Sequence, residues 1–132
     1  MRISTIESPM SLKCGRIYWE VIQFKSRRNL RQWIKYRGIK YSQGVDGMTI
    51  TWKKSRNLIA TVLLCDEAND IEVLAHEGVH MARAYLRRFG RLKDEEALAY
   101  LTESIVKSLV WLRKNRGHDG CRYFQALKPN VL

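Results

Sequence analysis

Long apolar runs are missing from this chain of 132 residues, and no stretch approaches the roughly 20 apolar residues needed to span a bilayer. The opening MRISTIESPMSLK also has no apolar core of signal-peptide length, so the protein is expected to stay in the cytoplasm and to have no membrane partner. Cysteine is sparse as well. Cys14, Cys65 and Cys121 are an odd number at wide spacing with no CxxC pair, which argues against a disulfide framework, a zinc ribbon or a dithiol redox centre. They read as free, reduced thiols. Internal repeats, low-complexity tracts and interdomain linkers are absent, and the length fits a single domain, 1–132, that buries about two-thirds of the surface its unfolded chain exposes.

Acidic residues are outnumbered, 13 against 24 lysines and arginines, giving a net charge of +11. A field of that sign speeds encounter with nucleic acid or acidic proteins but proves neither, because charge runs usually mean a solvated face. The densest basic run, Lys25 to Lys40, carries Lys25, Arg27, Arg28, Arg31, Lys35, Arg37 and Lys40, with Trp33 and Tyr36 interleaved. What is plentiful is apolar: 45% hydrophobic against 28% charged residues is an ordinary globular composition, and a packed core is expected.

The pattern along the chain reads as α+β, a small antiparallel or mixed sheet of about three strands packed against three helices. Ile17 to Phe24 is β-branched and aromatic, hence a strand. Ser26 caps a short amphipathic helix over Arg27 to Tyr36, with Leu30, Trp33 and Ile34 on its apolar side and Gly38 beyond its end. Met48 to Trp52 and Leu58 to Cys65 form a hairpin around the polar KKSRN. Asn69 or Asp70 caps a helix running to about Phe89, where Gly90 stops it. Asp94 opens a last helix to about Lys114, with Glu95 and Glu96 in the first turn facing the positive end of the dipole. The tail from Gly117 shows no period and is left open.

Residues 76 to 80 read His-Glu-Gly-Val-His, the HExxH pattern, inside a segment already assigned as helix. Four residues advance a helix by about 400°, so His76 and His80 share one face and can direct two imidazoles to one ion, while Glu77 is turned by about 100°. Composition alone would produce the pattern in only roughly 0.4% of such chains, so coincidence explains it poorly. Ile71, Ala75, Gly78, Val79, Ala82, Leu86 and Phe89 read as the apolar stripe of this helix, with the histidines, Arg83 and Arg87 opposite. A water-activating zinc site uses three protein ligands and leaves one position open. The following helix offers Glu96, sixteen residues after His80, which shares a side with Tyr100, Glu103 and Lys107 opposite the Leu98, Leu101, Ile105, Leu109 and Leu112 stripe. Glu95 competes for the ligand role, and His118 could instead complete a three-histidine site.

At these residues the chain resembles the gluzincin zinc peptidases, in which HExxH on one helix is completed by a glutamate on the next. The local match is Glu96-Ala97-Leu98-Ala99 followed by Glu103, similar to the aminopeptidase-type segment, and the chain's size is similar to minimal gluzincins and to small metallopeptidase-like proteins encoded by bacteriophages. The resemblance covers roughly residues 58 to 109, and HExxH is its specific part. It implies zinc held by His76, His80 and Glu96, with Glu77 as the general base that takes a proton from water and returns it to the leaving amine. Tyr100 stands where thermolysin-type members place an aspartate that orients a zinc histidine, and Glu103 would take over that support. Tyr100, His118 and Tyr123 are the candidates for stabilising the oxyanion, Tyr100 first among them. The resemblance also implies that the strand before the zinc helix, Leu58 to Cys65, is an open sheet edge pairing with an extended peptide or protein substrate. The rival reading is a non-enzymatic basic protein that presents a zincin-like fold to nucleic acid or to a host protein.

Overall fold

In a computed structural model of the chain, residues 10–41, 45–68, 70–114 and 123–127 are described, the last stretch by its backbone alone. Strand β1 (Met10–Cys14) turns directly into β2 (Ile17–Phe24), and Ser26 caps α1 (Arg27–Tyr36) by accepting the Asn29 N–H at 3.1 Å. Strands β3 (Met48–Thr51) and β4 (Leu58–Cys65) form the expected hairpin, and a single 3-10 turn at Asp66–Ala68 leads into α2 (Ile71–Arg88). Helix α3 (Glu95–Lys114) and strand β5 (Tyr123–Leu127) complete the order. The α+β class holds, and the sheet gains two strands, β1 and β5, that the residue pattern did not mark.

The strand order is β3-β4-β2-β1-β5. β2 and β4 run parallel, with α1 in the crossover between them, while β3 pairs antiparallel with β4 through Met48 to Leu63 and Thr51 to Ala60. β4 is therefore paired on both sides, and among the described residues the sheet edge on this flank is β3. The expectation that Leu58–Cys65 is the open edge is thus corrected. Its sequence, LIATVLLC, has the continuous apolar character of a strand covered on both faces, whereas an edge strand with one wet face alternates.

Side chains alternate across the sheet and divide the core in two. Trp19 and Val21 of β2 and Ala60, Val62 and Leu64 of β4 pack with Leu74, Met81 and Tyr85 of α2 and Leu101, Ile105 and Leu109 of α3. Ile22, Phe24, Leu63 and Cys65 point the other way, onto Leu30, Trp33 and Ile34 of α1. Helix α2 is also tied to the sheet by a polar contact, since the buried Trp19 indole N–H donates to the Met81 carbonyl at 3.0 Å. That bond satisfies a donor that would otherwise cost about 1–3 kcal/mol to bury. Asp70 is the cap that α2 uses, accepting the Val73 N–H at 3.2 Å, and Asp94 caps α3 by accepting the Ala97 N–H at 2.9 Å. That bond and the Arg91 guanidinium hold the Asp94 carboxyl below its usual range. Among the described residues no helix is long and apolar enough to cross a membrane.

The apolar stripe of α2 is rotated from the one read in the sequence. Leu74, Met81 and Tyr85 are at the centre of its buried face, while Ile71, Val79 and Phe89 are exposed. Glu77 falls on the buried side of the helix as a result.

Candidate functional site

Helix α2 carries the HExxH residues past the inner side of the edge strand. The segment entering β3 comes down onto the helix at Gly47, where an added Cβ would lie 3.2 Å from Val73 Cγ1 and 3.3 Å from both Glu77 Cγ and the Leu63 carbonyl oxygen. The missing side chain lets the strand approach, and the approach buries Glu77, whose side chain is 5% exposed. Thr49 of β3 donates its hydroxyl to Glu77 Oε1 at 2.7 Å. The other oxygen, Oε2, faces the histidines and lies 4.0 Å from His76 Nε2. One carboxylate oxygen is thus anchored and the other is left available.

His76 and His80 project side by side into solvent with their Nε2 atoms 3.3 Å apart. Two nitrogens bound to one tetrahedral ion at about 2.0–2.1 Å would be separated by roughly 3.4 Å. The observed separation matches that spacing, and is equally that of a hydrogen bond between the two rings. His76 is 69% exposed at its side chain, so its Nε2 is open to solvent.

Helix α3 does not join this pair. Gly78 is the point where α2 meets α3, with a Cβ position 2.8 Å from Val106 Cγ2. Two residues in either direction turn the helix by about 200°, which directs both His76 and His80 away from that contact. Glu96 also sits about ten residues before Val106, near 15 Å along the α3 axis at about 1.5 Å per residue. Among the described residues no group of three or more His, Cys, Asp or Glu is placed to hold a metal ion. Glu95 and Glu96 are exposed in the first turn of α3, and Glu103 pairs instead with Lys107 at 3.1 Å. Tyr100 is 54% exposed on the same helix. The structure thus brings together His76, His80 and Glu77, and leaves Glu96, Tyr100 and Glu103 on the neighbouring helix, apart from them. His118 lies outside the described residues, and of Tyr123 only the backbone, in β5, is described.

Thr49 was not singled out by the sequence. A threonine in a short β-branched strand carries no signal of its own, and only the sheet order, which makes β3 the edge over α2, brings it to Glu77.

Gly78 explains one variable position of the motif by packing. Gly78→Val is expected to destabilise the fold by about 1–3 kcal/mol through overpacking against Val106, and Val106→Ala in the same chain is expected to recover most of that loss. Urea midpoints of wild type and the two variants measure it; equal midpoints would show that α2 and α3 do not meet at Gly78.

No protein-family model, curated protein or solved structure matches this chain.

Proposed function

We propose that the chain is a zinc-dependent metallopeptidase-like hydrolase in which His76 and His80 hold the metal and Glu77 activates water for peptide-bond hydrolysis. The observation that carries this reading is the imidazole pair at 3.3 Å beside a buried carboxylate with one oxygen free. Imidazole donors in tetrahedral array suit zinc, and an ion bound there would acidify water and polarise a carbonyl.

Each residue then has a part that the geometry supports. Thr49 holds Glu77 in one rotamer, so that Oε2 faces the reaction centre and can take a proton from water and pass it to the leaving amine. The outer side of β3 has no partner strand among the described residues, and an extended peptide pairing along Met48–Thr51 would lie one strand beyond the Thr49 that holds Glu77. Glu96 reaches the pair only if α3 moves about α2. The buried thiols of Cys14 and Cys65, both free, support action in a reducing compartment such as the cytoplasm.

The full chain purified without added chelator is expected to carry about one zinc per molecule. Stripping it with a chelator is expected to lower the melting temperature, by the equivalent of about 2.7 kcal/mol for zinc at a hundred times its dissociation constant. Hydrolysis of an unfolded protein substrate should stop at the same point and return with added zinc. Protein that binds no zinc and melts at one temperature with and without chelator would overturn the proposal.

A further inference from the structure

The basic run of the sequence folds so that its charges and its rings are sorted. Trp33 is 4% exposed and lies beneath the Arg37 guanidinium, 4.2 Å from the ring centroid, so it belongs to the core and is not available for stacking. Arg27, Arg28, Arg31, Gln32 and Lys35 instead share the outer face of α1 and, with Tyr41, line a groove of about 430 Å³. This groove lies across the sheet from α2, on the side where α1 packs. Arg27 and Arg31 share a single carboxylate, Asp46, at 2.7 and 3.4 Å. The one acid lining the groove, Glu67, accepts the Arg27 backbone N–H at 3.0 Å. Arg28 and Lys35 have no ion-pair partner among the described residues. Four cations against two carboxylates leave the groove positive, and two of the cations are uncommitted.

We propose that this groove binds the sugar-phosphate backbone of single-stranded nucleic acid, at a site separate from the histidine pair. The cations recur along α1 with each helical turn of about 5.4 Å, a repeat suited to a polymer carrying one charge per monomer. Planar guanidinium groups bind phosphate oxygens two at a time. Tyr41, 37% exposed in the groove, and Tyr36, 67% exposed at the end of α1, offer rings to unstacked bases, the pairing of cations and aromatics that single strands use.

Fluorescence anisotropy of a labelled oligothymidylate tests the site. Wild type is expected to bind with an affinity that falls as salt rises. Arg28→Glu/Lys35→Glu should weaken binding at least about tenfold and reduce the log-log salt slope by about 1.4, two contacts at about 0.7 each for a single strand. Arg83→Glu/Arg87→Glu makes the same change of charge on the exposed face of α2 and should weaken binding by less than about threefold. His76→Ala should bind as wild type does. Should the double glutamate variant melt early, Arg28→Gln/Lys35→Gln reads the same contacts with less perturbation. Equal losses from the α1 and α2 variants would overturn the site, as would tighter binding of a duplex of the same length, of polyglutamate or of anionic lipid vesicles.

Discussion

Glu77→Gln is expected to leave zinc content and melting temperature near those of wild type while lowering turnover by about 10²–10⁴-fold, the range that a positioned general base contributes. Glutamine has the same shape, and its side-chain carbonyl can still accept the Thr49 hydroxyl that Glu77 Oε1 accepts at 2.7 Å. What changes is the other terminus, where an amide NH₂ replaces the oxygen that faces His76. That group donates and cannot take a proton from water. Glu77→Ala is the less informative variant, because it also strands the Thr49 hydroxyl beneath the edge strand at a cost of about 1–3 kcal/mol. Hydrolysis by Glu77→Gln at the wild-type rate would remove Glu77 from the chemistry. A chain that only presents a basic surface would be indifferent to this substitution.

The second large effect is on the metal. His76→Ala and His80→Ala are each expected to reduce zinc affinity by more than the roughly 10–100-fold that loss of an outer hydrogen-bond partner costs, since each removes a donor outright. Both imidazoles are exposed on the solvent side of α2, so the metal-free stability should change by less than about 0.5 kcal/mol. Zinc measured per molecule after dialysis, beside a melting curve in chelator, separates the two quantities. Retention of full zinc by either variant would mean that the ion, if bound, sits elsewhere. The same measurement on Glu96→Ala decides whether α3 moves to close the ligand shell: loss of zinc would show that it does, and full zinc in Glu96→Ala with loss in His118→Ala would place the third donor in the tail.

Much of the secondary structure was legible because it is written in local terms. Ser26, Asp70 and Asp94 cap their helices through their own side chains, and β2, β4 and the three helices begin and end close to where those caps and the apolar periods place them. Two strands were not legible. β1 pairs with β2 and β5, and neither MSLKC nor YFQAL differs enough from loop sequence to be recognised without those partners. The α2 stripe was misread by a rotation, because Leu74, Met81 and Tyr85 define the core face only once the sheet is beneath them, and an acid, Glu77, was not expected on it.

The sequence by itself determined the helical placement of HExxH, and with it the spacing that brings His76 and His80 together, since i and i+4 are neighbours on any α-helix. It also determined that Glu77 is turned away from them by about 100°. Only the tertiary structure decided what lies on each side of that helix. The strand order places β3 at the edge, Gly47 lets it close on Glu77, and the Gly78 contact with Val106 settles α3 on the flank away from the histidines. Those outcomes depend on which faces of distant elements bury one another, a choice made by packing across the whole core that no local period in the chain records.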